Sequence, residues 1–228
     1  SFNTMLEALR GSVSRQRQLV QDASHELRTP LTSLRANTEL LERGTLSDAD
    51  RTSILADMRA EVDELADLSA ELSALAIDNR TTEEPVSIDL SDVAQEVAIR
   101  ASRRSGAPVT VHTTPGTTVV VRPNQFERAL SNLVDNAIKF TNDSSAIEIH
   151  VGSFRVEVRD KGLGIADVDK PLVFDRFYRA TATRSMPGSG LGLSIVSQFA
   201  IDHNASAYVL DNAGGGAIVG LQFPIPAA

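Results

Sequence analysis

The stretch Ser24-His25-Glu26-Leu27-Arg28-Thr29-Pro30 lies inside a heptad repeat of apolar residues, and this repeat decides the fold of the N-terminal third of the chain. Apolar side chains seven residues apart line one face of a helix and predict coiled-coil-like packing. The repeat consists of Val13, Val20, Leu27, Leu34 and Leu41. Gly44 then marks a turn, and Ser47 is a candidate N-cap for a second helix.

A second apolar series follows the turn and predicts that the two helices form an antiparallel hairpin. Its members are Met58, Val62, Leu65, Leu68, Leu72 and Leu75. A two-helix hairpin buries little apolar surface, so we expect it to pair with a second copy as a dimeric four-helix bundle. The alternative is that the hairpin packs against the C-terminal half of its own chain.

The bulk composition limits the classes of function. The chain has 228 residues, of which 42% are hydrophobic and 23% charged, enough for two small domains with packed cores. The formal net charge is −8 and Lys and Arg form no long run, so nucleic acid is not an expected partner. The absence of cysteine excludes disulfides, thiolate catalysis and cysteine-based zinc sites.

The C-terminal two thirds predict a different architecture. Polar residues and Pro85 at 79–90 indicate a linker. Beyond it, strands alternate with helices across short turns, which predicts an α/β sandwich and, for the whole chain, the α+β class. Helices are predicted at 89–103, 123–140 and 190–203, strands at 109–111, 119–121, 146–160 (a pair) and 206–223, and a loop-rich stretch at 161–190.

His25 lies on the most exposed face of the first helix, because Val20 and Leu27 at heptad position a place it at position f. Thr29 lies on the same face, and Glu26 flanks it. A neutral imidazole can accept a phosphoryl group on one ring nitrogen while a carboxylate accepts a hydrogen bond from the other. Exposed histidines are common, so His25 alone does not establish phosphoryl transfer. That interpretation depends on whether the second half of the chain binds a nucleotide.

The stretch Glu127–Phe140 predicts an amphipathic helix whose polar face carries Asn132, Asn136 and Lys139. An amide oxygen is a hard ligand that suits Mg²⁺. A lysine at this face would meet the charge of a phosphate. Taken by itself, the same face is equally an ordinary solvated helix surface.

Two glycine-rich segments complete a candidate nucleotide site. Asp160-Lys161-Gly162-Leu163-Gly164-Ile165 follows a predicted strand and offers a carboxylate to an amino group such as that of adenine. Gly188-Ser189-Gly190-Leu191-Gly192-Leu193 opens a helix, whose first amides favour an anion. Neither segment fits a Rossmann unit or a P-loop. A histidine helix followed by such a site predicts phosphoryl transfer from a nucleotide to an imidazole.

The order of these motifs closely resembles the catalytic core of sensor histidine kinases of bacterial two-component systems, over roughly the whole chain. The similar segments are an H-box at His25–Thr32, an N-box at Asn132–Phe140, a G1 box at Asp160–Gly164, an F-box at Phe174–Arg179 and a G2 box at Gly188–Leu193. The resemblance implies the end of a HAMP-like signalling module at 1–12, a dimerisation and histidine phosphotransfer domain at 13–78, the linker at 79–90, and an ATP-binding domain of the histidine-kinase/Hsp90-like type at 91–228.

The resemblance also implies a role for each motif. His25 would be the phospho-acceptor, Glu26 its acid–base partner, and Thr29 a positioner of water during dephosphorylation of the partner. Asn136 would bind Mg²⁺, and Asp160 would recognise the adenine amino group. The residues implied to bind the nucleotide or shape its loops are Asn132, Asn136, Lys139, Phe140, Asp160, Gly162, Gly164, Gly188, Gly190, Leu191 and Gly192.

Residues from about 166 to 187 would form a mobile ATP lid, with Phe174 and Phe177 either pinning it or joining the core. After the last helix the family often has His-Gly-Gly, whereas this chain has His203-Asn204-Ala205, which predicts a different turn.

The implied cofactors are ATP and Mg²⁺, and the implied partners are a second copy of the chain and a cognate response regulator. The regulator is expected to receive the phosphoryl group on an aspartate while docked below His25, around Ser33, Ala36, Asn37, Leu40 and Leu41. No apolar run reaches the ~20 residues that cross a bilayer. The chain starts at Ser1 rather than Met, so we expect the cytoplasmic portion of a longer, membrane-anchored protein.

Two rival functions fit parts of the sequence. The ATP-hydrolysing chaperones and topoisomerases that share the nucleotide fold need a glutamate one turn before the metal-binding asparagine, and this chain has Asn132 there. A non-catalytic dimerisation scaffold would need neither the histidine box nor the glycine boxes.

Overall fold

The computed structural model describes residues 21, 23–24, 27–43, 46–78, 83–141, 146–183, 186 and 188–225. The chain divides into two compact units, with the boundary between Ala76 and Ile77. His25, Glu26, Gly44 and the predicted HAMP-like residues 1–12 lie outside the described residues. Within the described part, no helix combines the length and apolarity that a membrane span requires.

The first unit is a helical hairpin, as predicted. Helix α1 covers residues 27–42 and helix α2 covers Asp48–Asp78. Ser47 caps α2, because its Oγ accepts the backbone N–H of Asp50 at 3.2 Å and donates to Asp50 Oδ2 at 2.7 Å. The predicted N-cap is therefore confirmed.

The exposure of the hairpin follows the predicted heptads at Leu27, Leu34 and Leu41 and at Met58, Leu65 and Leu68, but Val62, predicted in the same series, is exposed. The side chains of Val13, Val20, Leu72 and Leu75 lie outside the described part. The half-buried or buried positions are 27, 30, 33, 34, 37 and 41 in α1 and 54, 58, 61, 65 and 68 in α2. A second set of apolar side chains remains exposed: Leu31 at 54%, Leu55 at 44% and Val62 at 53%. Leu55 and Val62 are one heptad apart, so they form a row beside the half-buried one.

The second unit is the predicted α/β sandwich. Its elements are β1 Val86–Asp89, α3 Leu90–Ser105, β2 Val109–Thr113, β3 Thr118–Val121, α4 Pro123–Phe140, β4 Ile147–Gly152, β5 Arg155–Arg159, a 3₁₀ turn Thr181–Thr183, α5 Gly192–Asp202, β6 Ser206–Asp211 and β7 Ala217–Gln222. The main sheet has five strands in the order β2-β4-β5-β7-β6, in which β2 and β4 are parallel and the remaining pairs antiparallel. Strands β1 and β3 form a separate antiparallel pair.

One layer of helices covers one face of this sheet. Phe126 and Leu130 of α4, Val196 of α5 and the alternate residues Ile147 and Ile149 of β4 are buried in a single core. Because strand side chains alternate between faces, Glu148 and His150 project to the opposite face. The sheet therefore has one apolar face and one polar face.

The predicted linker extends too far into the second unit. Its last residues form β1, Val86–Asp89, which pairs with β3, and Leu90 is fully buried. Glu83 also belongs to the fold, because its Oε1 accepts the N–H of Asn124 in the first turn of α4. The polar composition and Pro85 hid a strand that is only four residues long.

The turn after α5 uses an asparagine where the expected pattern has glycine. Asn204 has φ of 53°, and the N–H of Ala205 donates to the carbonyl of Ala200 at 2.8 Å. This is a left-handed helix C-cap, which asparagine tolerates better than most residues. Asn204 therefore supports a left-handed cap at the end of α5.

Candidate functional site

Helix α4 positions the predicted N-box. Pro123 occupies the first turn, where its missing N–H costs nothing, and the Glu83 carboxylate caps this end. Asn132, Asn136 and Lys139 are half-buried on the helix face away from the core. No described residue forms a side-chain hydrogen bond with Asn136, so its amide oxygen remains open to a ligand.

The start of α5 lies against this face. The Oδ1 of Asn132 is 3.1 Å from the position that a Cβ on Gly192 would occupy, so a side chain there would press on Asn132. Leu191 is the N-cap of α5 and provides no side-chain cap bond, and the positive end of the helix dipole at this point favours an anion. Leu191 was predicted to bind the nucleotide, but its side chain is fully buried, so only its backbone could do so.

Asp160 lies directly after β5 and is 6% exposed. Its Oδ1 accepts the N–H of Gly162 at 2.8 Å and that of Ala217 at 3.1 Å. None of the described residues donates to Oδ2. The carboxylate is therefore fixed through one oxygen while the other can accept a hydrogen bond from a ligand.

The G1 loop touches the end of α4. A Cβ on Gly162 would lie 2.2 Å from the carbonyl oxygen of Phe140, so only glycine permits this approach. Next to Phe140, the hydroxyl of Thr141 is buried, and no described residue bonds with it. The G2 loop at Gly192 and the G1 loop at Gly162 thus both lie against the N-box helix, although the three motifs are separate in sequence.

Two supports of Asp160 were missed from the sequence. Asn212 Nδ2 donates to the Asp160 carbonyl at 2.6 Å, and a Cβ on Gly216 would lie 2.1 Å from the same oxygen. Gly216 has φ of 90°, which favours glycine. The available signal was the run Gly214-Gly215-Gly216 between the two closing strands.

The F-box meets the G2 loop. The N–H of Phe177 donates to the carbonyl of Gly190 at 3.0 Å, and a Cβ on Gly190 would lie 2.8 Å from the carbonyl carbon of Phe177. Phe174 packs against the main core. Lys170 lies a few residues before the F-box and forms an ion pair with Asp167 at 2.6 Å. A second ion pair, with Asp211 at 2.7 Å, connects Lys170 to the end of β6.

The remaining predicted residues are placed as follows. Lys139 Nζ lies 5.0 Å from the ring centroid of Phe140, a cation–π contact. Gly164 and Gly188 have φ of 71° and 138°, conformations that favour glycine. Thr29 is exposed on α1, as predicted.

These residues fit a magnesium nucleotide. The Asn136 amide oxygen is a hard ligand, the first amides of α5 favour an anion, and Asp160 offers a buried acceptor. A ligand that uses all three features would combine a metal cation, an anionic group and an amino group.

Comparison with known proteins agrees with this arrangement. The family model described as His Kinase A (phospho-acceptor) domain matches residues 15–77, and the one described as Histidine kinase-, DNA gyrase B-, and HSP90-like ATPase matches residues 121–227. The signal transduction histidine-protein kinase/phosphatase MprB of Mycobacterium leprae is 40% identical over 94% of this chain and 44% of its own length. The chain belongs to the sensor histidine kinases.

Other members of the family show similar coverage. MprB of Mycolicibacterium smegmatis is 37% identical over 95% of this chain and 46% of its own length. The chain therefore spans about half the length of the curated relatives that it matches.

Solved structures give the same fold. A mycobacterial sensor histidine kinase MprB structure has 28% identity and a TM-score of 0.51 over 60% of this chain and 95% of its own. Histidine kinase ThkA in complex with response regulator protein TrrA has a TM-score of 0.69 at 18% identity, over 93% of this chain and 62% of that chain.

Proposed function

We propose that this chain is a kinase core that transfers the γ-phosphoryl group of ATP to His25, passes it to an aspartate of a response regulator, and also dephosphorylates that regulator. The observation that carries the proposal is the meeting of three motifs along α4, through the contacts of Asn132 with Gly192 and of Phe140 with Gly162. The names of the relatives, which state both kinase and phosphatase, support the same assignment.

The second unit would hold the nucleotide. Asp160 would accept a hydrogen bond from the adenine amino group through Oδ2, and the amides at the start of α5 would face the phosphates. Asn136 would bind Mg²⁺, which neutralises phosphate charge during transfer. Lys139 would add a second positive charge nearby, and residues 166–187 would form the lid over the bound nucleotide.

His25 would act as the nucleophile in its neutral form. A bond forms between one ring nitrogen and the γ-phosphorus, the bond from phosphorus to the β–γ bridging oxygen breaks, and ADP leaves with that electron pair. The proton on the other ring nitrogen passes to the Glu26 carboxylate.

The hairpin would supply the partner surfaces. Leu31, Leu55 and Val62 are exposed on the single chain, and a second copy in a four-helix bundle would cover them. The regulator would dock around Ser33, Ala36, Asn37, Leu40 and Leu41, with Thr29 positioning water for dephosphorylation. The phosphotransfer domain would span residues 13–78. The location of this chain in the cytoplasm, attached to a membrane anchor of a longer protein, stays a prediction.

Simple ATP hydrolysis is disfavoured because the acidic side chains of α4 are not placed to activate a water molecule near Asn136. The position one turn earlier is Asn132, whose Nδ2 donates to the Arg128 carbonyl at 2.9 Å. Glu127 pairs with Arg100 and Asp135 pairs with Arg104. The described carboxylates of α4 are therefore engaged elsewhere rather than placed to activate water.

The test is the fate of phosphate from γ-labelled ATP. We expect acid-labile, base-stable label on the protein, and we expect Asn136→Ala to abolish it because the Mg²⁺ ligand is lost. Asp135→Asn on the same helix is the matched control and should keep the label. Release of free phosphate without labelled protein would instead establish an ATPase.

A further inference from the structure

The polar face of the main sheet carries a cluster of metal-ligating side chains that the proposed kinase reaction does not use. His112 of β2 and His150 of β4 are direct partners in the parallel ladder, and Glu148 lies two residues before His150 on the same face. One nitrogen or oxygen from each of the three side chains lies within 4.8 Å of the others. The cluster is therefore assembled by strand register rather than by mobile loops.

The three side chains hold each other in a fixed arrangement. The two imidazoles stack with their centroids 4.7 Å apart, and His150 Nε2 is 2.8 Å from Glu148 Oε2. An anionic oxygen and two imidazoles thus converge on a partly exposed site.

The cation opposite Glu148 in the strand ladder does not form an ion pair with it. Arg159 faces Glu148 across the β4–β5 ladder, but its guanidinium donates to Glu157 at 2.7 Å. Glu157 is buried, and Tyr208 also donates to it at 2.8 Å. Arg159 is held by this second acid, so the charge of Glu148 is available to a ligand.

We propose that His112, Glu148 and His150 bind one divalent transition-metal ion of the Zn²⁺ type. Two imidazoles and one carboxylate are a ligand set that proteins use for zinc, with water completing the coordination. Tetrahedral ligands of Zn²⁺ lie roughly 3.4 Å apart, so small rotamer changes of partly exposed side chains suffice. The chain has no cysteine and only four histidines, so two of its four imidazoles meet here.

The ion would link the edge strand to the rest of the sheet. Strand β2 is at the edge of the five-stranded sheet and pairs there with β4 alone. A ligand that binds only the folded state raises stability by mass action. Zn²⁺ is therefore expected to raise the melting temperature of the chain, and Mg²⁺ is not, because imidazole is a poor ligand for it.

The test is calorimetric titration of the whole chain with Zn²⁺ in saturating Mg²⁺. We expect one saturable equivalent and a loss of affinity of at least about tenfold in His112→Gln and in Glu148→Gln, since even outer-shell changes cost about 10- to 100-fold. His25→Gln is the control, because it removes a histidine outside the cluster. The absence of saturable binding, or binding that survives both cluster variants or falls equally in the control, would overturn the proposal.

Discussion

At the scale of single residues, Asp160 connects the geometry most directly to ligand binding. An Asp160→Asn chain keeps an oxygen for the two backbone amides but replaces the other acceptor with a donor. Hydrogen bonds to charged groups contribute about 1.5–3 kcal/mol, so ATP affinity should fall about 10- to 100-fold with little change in folding.

Calorimetry with ATP measures this fall in affinity. Asp202→Asn on α5 serves as a carboxylate control, because among the described residues Gln198 alone donates to that side chain. Undiminished ATP affinity in Asp160→Asn would show that this carboxylate has only a structural role.

Thr29 separates the two proposed activities. Its side chain is exposed on α1, and a hydroxyl there cannot act as a base for an imidazole. Thr29→Ala should retain autophosphorylation and lose most dephosphorylation of the regulator. Both rates are measured with purified phospho-regulator and γ-labelled ATP. Thr32→Ala is the control, because its hydroxyl already donates to the Arg28 carbonyl at 2.8 Å. Parallel loss of both activities in Thr29→Ala would contradict the separation.

At the scale of elements, the ATP-binding unit depends on residues before its predicted start. A fragment that begins at residue 91 lacks β1, the buried Leu90 and the Glu83 cap of α4. Burying a leucine is worth about 1.5–3 kcal/mol and a helix cap about 1 kcal/mol, so the free energy of unfolding should be at least about 2 kcal/mol below that of the 83–228 fragment. Urea unfolding of the two fragments measures the difference. Equal midpoints would mean that β1 contributes nothing.

His203 joins the ends of two helices and makes their packing depend on pH. Its Nε2 accepts the N–H of Arg122 at 3.1 Å, and its Nδ1–H donates to the carbonyl of Phe199 at 2.9 Å, so the bonded form is neutral. Burial lowers the pKa of His203 in the folded chain. A depressed pKa means that this stabilisation is present above the ordinary value of about 6.5 and is lost as the pH falls through the folded pKa.

Thermal unfolding between pH 7.5 and 5 tests this link. The wild-type chain should lose stability toward pH 5 more steeply than His203→Phe, which keeps a ring against Phe199 but cannot titrate. Identical pH slopes in the two chains would show that His203 is not linked to folding.

The helices were easier to predict from the sequence than the short strand β1 and the contacts between distant residues. The bounds of α4 follow from Pro123 and a clear apolar stripe, whereas β1 is too short for a pattern and is created by its pairing with β3. The support of Asp160 by Asn212 joins residues 52 positions apart, which no local pattern contains. The burial of the Leu191 side chain was hidden for the same reason, because its neighbours come from distant parts of the chain.

At the scale of the whole molecule, two units divide the proposed reaction between them. The order of the motifs predicted the family, because histidine helix, asparagine helix and glycine loops occur together in few proteins. The polar sheet face with His112 and His150 was not predicted, since strand register rather than sequence spacing joins these side chains.

The central claim is that ATP held by the second unit phosphorylates His25 of the first. The most direct measurement combines γ-labelled ATP with peptide mapping at alkaline pH, in the intact chain and in His25→Gln. We expect acid-labile label confined to the peptide that contains His25, although the chain has three other histidines, and no label in the variant. Label that persists in His25→Gln, or that maps to the second unit, would contradict it.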